Sequence, residues 1–195
     1  MHAIEPVIAH EITHAFLAHL PIPAWLNEGL AVNTERRLCP PPPGLHTPQE
    51  LHAMHRRYWD DESIQTFWSG QSFLAADDGN LLSYELGRII VEHLSRDWPR
   101  FVRFVQQARL ADAGHDAAST VLGIDLGEAV SAMFGADNAG SWAPDPSRWA
   151  AAPERGGFVV DRRPTVRAAP NSPGVASSRQ PRRSVRHRRS PDRSR

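Results

Sequence analysis

Apolar residues recur at helical rather than alternating spacing through most of the first 135 positions, and proline, glycine and aspartate cut them into separate segments. Val7, Ile8, Ile12, Ala15, Phe16, Leu17 and Leu20 wrap most of the circumference of a helix over 6–20, a pattern that describes a buried helix. Pro6 suits its first turn, where the missing N–H costs nothing. Pro21-Ile22-Pro23 ends it, because the residue before a proline is driven out of the helical region. A second helix is predicted over 24–36, and the sharp break lets the two lie antiparallel. The stretch 38–48 is a rigid, proline-rich loop, after which Thr47 or Pro48 opens a short helix to about Tyr58. Asp60-Asp61-Glu62 reads as a solvated helix start, and Phe67, Trp68 and Phe73 as core rather than the alternative, the lining of a substrate cleft.

A long amphipathic helix follows over 80–94. After Asp97-Trp98-Pro99, a helix carries Phe101, Val102, Phe104, Val105 and Leu110 on one face. A shorter helix ends at Gly123, and Asp125 caps a last one through Phe134, with Gly135 after it. The predicted fold class is therefore mainly α, with little or no β-sheet. Three segments are expected: a helical domain over 1–136, a loosely packed extension over 137–160 containing Trp142 and Trp149, and a tail over 161–195.

Charge sharpens that division. The 195 residues are formally neutral, but 162–195 hold eleven Arg and one Asp, a net of +10, which leaves the rest at −10. Arg, Ser and Pro dominate the tail, with almost nothing to bury, so it is expected to be disordered and available to acidic partners. It lacks the aromatic interleaving of a specific nucleic-acid motif. No apolar run reaches the length of a membrane span, and one cysteine, Cys39, forms no internal disulfide. The first residues have neither the charged region nor the cleavage site of a signal peptide, which makes cytoplasmic the default location.

The candidate chemistry lies in the first helix, at His10-Glu11-Ile12-Thr13-His14. Residues four apart project from one helix face. This is the spacing at which two neutral imidazoles hold one Zn²⁺, with the intervening glutamate beside the open coordination position. Burying His10, Glu11 and His14 without partners would be expensive, and a metal removes that cost. Glu28, in the first turns of the second helix, can look back at the histidines. Gly29, a poor choice inside a helix, makes sense if a backbone must approach something closely there, as near a metal. His52 and His55, three apart with no acidic or cysteine partner nearby, read as surface residues.

H-E-I-T-H followed by Trp25-Leu26-Asn27-Glu28-Gly29-Leu30-Ala31 resembles the gluzincin zinc peptidases, in particular the peptidase-MA-like group related to aminopeptidase N. The resemblance implies that His10, His14 and Glu28 hold Zn²⁺ and that the substrate is a peptide or protein. In the implied reaction Glu11 is the general base for a zinc-acidified water and then returns the proton to the leaving amine. Tyr84, in a segment similar to the family's Y-E-K-G with Leu86 at the lysine position, implies a hydrogen-bond donor to the oxyanion. Arg88 or His93 could assist with substrate, and Glu35 could orient a histidine. The resemblance covers the zinc helix to about residue 135. The β-sheet and the segment gripping the substrate's amino terminus that precede it in the family have no counterpart here, so the expectation is a truncated or fragmentary member, with exo- versus endopeptidase left open. The competing expectation is a non-catalytic helical binding module with no metal, or with a structural one closed by a fourth ligand such as His19 or His93.

Overall fold

A computed structural model describes residues 4–40, 46–135 and 142–149, and these are mainly α, with no strand among them. The expected tail over 161–195, and the extension over 137–160 apart from 142–149, lie outside the described residues. Among the described residues eight α-helices follow in order: α1 (Ile4–Leu17), α2 (Ala24–Leu38), α3 (Pro48–Tyr58), α4 (Ser63–Trp68), α5 (Asp78–Leu94), α6 (Trp98–Gln107), α7 (His115–Ala117) and α8 (Leu126–Phe134). No single described helix is long and apolar enough to cross a membrane.

The ends of these helices follow local chemistry. Thr47 accepts from the Glu50 backbone N–H while the Glu50 carboxylate accepts from the Thr47 N–H, a complete capping box at the start of α3. Asp77, Asp97 and Asp125 cap α5, α6 and α8. Asp60 takes the backbone N–H groups of Glu62 and Ser63 and so starts α4 from its exposed turn. α7 runs into a π turn over Ala118–Leu122, which Gly123 stops in the left-handed region at φ 70°.

The core is built around Trp25 of α2, which is fully buried. Its ring meets Trp68 edge-on at 5.9 Å and stacks with Phe104 at 6.4 Å, and its indole N–H donates to the Ala113 carbonyl at 2.9 Å. Phe67, Trp68 and Phe73 belong to the same core, as expected. α2 crosses α5 at Gly29 and Gly87. A Cβ on Gly29 would lie 2.8 Å from the Gly87 carbonyl carbon and from Val91 Cγ2. What Gly29 approaches is therefore the backbone of α5, not a metal. Asn33 locks the crossing by donating to the carbonyls of Gly29 and Arg88, at 2.8 and 2.9 Å.

Four expectations need correcting. α1 ends at Leu17 rather than residue 20, and none of its residues is buried. One side lies on α2, but Ile4, Val7, Ile8, Ile12 and Phe16 face outward, Phe16 with 74% of its surface exposed. The apolar circumference was sound as a pattern, yet only one side of it is covered, chiefly by α2. His55 is not at the surface: only 1% of it is exposed. Leu110 leaves the α6 face, because α6 ends at Gln107 and Leu110 starts a separate 3-10 turn, 56% exposed. Residues 142–149 are tied rather than loose. Trp68 donates to the Trp142 carbonyl at 2.8 Å, and Gln65 donates to Ala143 at 2.7 Å while accepting from Asp145 N–H and the Trp149 indole.

Candidate metal centre

The chain turns over residues 18–23 and lays α2 against α1, and this brings the two halves of the motif together. His10 and His14, four apart on α1, sit with their ring centroids 4.7 Å from each other. From α2, Glu28 Oε2 reaches 3.3 Å from His10 Nε2 and 3.4 Å from His14 Nε2. Among the described residues these three form the one group whose ligand atoms all lie close enough to share an ion, within 4.8 Å of one another. Neither His19 nor His93 joins them.

The far side of each imidazole is also engaged. His10 Nδ1 lies 3.2 Å from Glu35 Oε2, and His14 Nδ1 lies 3.1 Å from Asn27 Oδ1. A carboxylate can only accept, so Nδ1 of His10 carries the proton. In a neutral ring that leaves a lone pair on Nε2, directed at Glu28, and the Asn27 oxygen fixes His14 the same way. The Glu28 Oε2 atom is itself buried and has no hydrogen-bond partner. With both rings in that neutral form, two nitrogen lone pairs and one carboxylate oxygen face a common point. Three acceptors so arranged repel unless a cation joins them, and imidazole nitrogen with carboxylate oxygen is a donor set that Zn²⁺ takes. The residues present fit the ion.

Tyr84 of α5 stands beside this cluster, its ring centroid 6.5 Å from that of His10. Burial, then the charges of Glu28 and Glu11, push its phenol above the usual tyrosine range, so it stays a protonated donor at ordinary pH. Glu11 is exposed on α1, near enough to Tyr84 for its charge to act on the phenol. Arg88 is taken up by Glu85 and Glu92, and His93 is exposed on the same helix. Glu35 stands where it was expected to, against a histidine. Asn27 was missed as a partner of His14, although it immediately precedes Glu28 in the motif that suggested the site.

No protein-family model, curated protein or solved structure matches the chain.

Proposed function

We propose that the chain is a zinc-dependent hydrolase and, within that class, a metallopeptidase of the gluzincin kind. The observation that carries the reading is the convergence of His10 Nε2, His14 Nε2 and the orphaned Glu28 Oε2, with Glu35 and Asn27 behind the two imidazoles. His10, His14 and Glu28 would hold the zinc. When bound, a zinc ion there supplies Lewis acidity, acidifying water and polarising a carbonyl. Three protein ligands leave a position for substrate or water, which distinguishes this reading from a structural site with four.

The chain's own residues then have separate tasks. Glu11 accepts the proton of the attacking water and delivers it to the leaving amine. Its exposure on α1 leaves it open to water and substrate. Tyr84, kept protonated by its surroundings, donates to the oxygen on which charge develops. Glu35 and Asn27 hold the imidazoles in the tautomer that the metal requires.

The test is zinc content together with cleavage of a peptide library, on the parent and on Glu11→Gln. The parent should carry about one zinc per chain and cleave, and the variant should keep the metal and lose cleavage. A folded parent that takes up no zinc, or a variant as active as the parent, would overturn the assignment.

A further inference from the structure

Between α2, α3, α5 and α8 lies a cavity of about 520 Å³, none of whose lining residues belongs to the metal cluster. Its size falls in the range of small-molecule pockets. His55 of α3 is part of its wall. The imidazole is stacked on Phe134 with ring centroids 4.8 Å apart, and its Nδ1 is 2.8 Å from the Trp59 indole nitrogen. An indole N–H only donates, so Nδ1 accepts, and the proton of the neutral ring is on Nε2. Burial, partly offset by Glu85, holds His55 down to about 4, so the ring is neutral at ordinary pH. That leaves Nε2–H as a buried donor with no acceptor. Buried donors are seldom left so, because the missing bond costs about 1–3 kcal/mol.

The charge of the wall points the same way. Arg36, Glu85, Arg88 and Glu92 form one chain of alternating ion pairs, whose positive end, Arg36, lines the cavity while its negative end, Glu92, is not part of the lining. Glu85 accepts from Arg36 Nη2 at 2.8 Å and from Arg88 Nη2 at 2.6 Å, and Arg88 is further held by Glu92. Arg36 makes no other hydrogen bond among the described residues, so the rest of its guanidinium fork is free. Pro48, Leu51, Ile89 and Phe134 give the wall an apolar part, and His46 and His52 complete it.

We propose that this cavity binds a small carboxylate with an apolar body, its oxygens taken by the free donors of Arg36 and by His55 Nε2–H and its body by Leu51, Ile89 and Phe134. A guanidinium fork matches a carboxylate. The positive end of the ion-pair chain suits a monoanion, and the apolar part of the wall favours one carrying hydrocarbon. The site is independent of zinc.

The test titrates the full chain, with and without zinc, with phenylacetate and with its neutral analogue phenylacetamide, following the imidazole and backbone signals by NMR. Phenylacetate should bind saturably in both metal states, shift the His55 and Phe134 signals, and bind at least tenfold more tightly than the amide. Arg36→Gln leaves Glu85 paired with Arg88 and should weaken phenylacetate at least tenfold, and Ile89→Phe should fill the cavity and abolish binding. Equal binding of acid and amide, binding that depends on zinc, indifference to both substitutions, or no saturable shift at millimolar concentration would each overturn the proposal.

Discussion

The crossing of α2 and α5 gives a sharp prediction for Gly29→Ala. On an exposed helix the change would be favourable by about 1 kcal/mol, since alanine is the better helix former. Here the added Cβ would stand 2.8 Å from both the Gly87 carbonyl carbon and Val91 Cγ2, and closer still to the Gly87 carbonyl oxygen. Carbon atoms settle at about 3.5–4.0 Å, so the helices must separate by roughly 0.7 Å or more. A valine methyl can rotate away, but the α5 backbone cannot. Overpacking against such a wall costs typically 1–3 kcal/mol, and a backbone obstacle belongs at the upper end. The net loss is about 2 kcal/mol, which lowers a urea midpoint by about 1 M. Gly123→Ala is the control, because nothing lies within 4 Å of its added Cβ and the only cost is its φ of 70°, about 1 kcal/mol. Gly29 adjoins Glu28, so separating the helices should also shift that carboxylate relative to the histidines and weaken zinc binding. A Gly29→Ala chain as stable as the parent, or less affected than Gly123→Ala, would refute the close crossing.

Other consequences can be measured independently. Tyr84→Phe should cut turnover about 10²–10³-fold, as removal of an oxyanion donor does, with zinc content unchanged; turnover equal to the parent's would make Tyr84 a packing residue. Glu35→Ala and Asn27→Ala should each weaken zinc binding about 10–100-fold as read by competition with a chromogenic chelator, and unchanged affinity would remove them as supports of the imidazoles. His55 predicts a pH effect on stability. Below 6.5 the unfolded chain takes up a proton that the folded ring refuses until about 4. Stability should therefore fall as pH drops through that window, by up to about 3 kcal/mol. Denaturation of the parent and of His55→Phe across the window measures this, and parallel slopes would show that the ring is not held neutral.

The histidine pair proposed to hold the metal is legible in the sequence because its relation is local: an i, i+4 pair needs only a helix. Glu28 needed one further inference, that Pro21 and Pro23 turn the chain sharply, and the fold makes that turn. Capped helix starts were readable for the same local reason, Thr47 and Asp125 among them. What escaped depends on partners distant in the chain. The pattern of α1 reports apolar surface but not what covers it, and so it suggested burial where α2 covers only one side. His55 looked like a surface histidine because its stacking partner Phe134 comes from α8, far along the chain. Gln65 draws in Ala143 and Trp149 from 78 and 84 positions away, a tie that no local signal announces. Gly29 was correctly suspected of close approach, but its neighbour is Gly87 of another helix.

X-ray absorption at the zinc edge of the zinc-loaded chain tests the central claim most directly. The account predicts one zinc with two imidazole nitrogens at about 2.0–2.1 Å and oxygen in the remaining positions, and loss of one oxygen scatterer with weaker zinc retention in Glu28→Ala. A spectrum with sulfur or a third imidazole, or one that Glu28→Ala leaves unchanged, would contradict it.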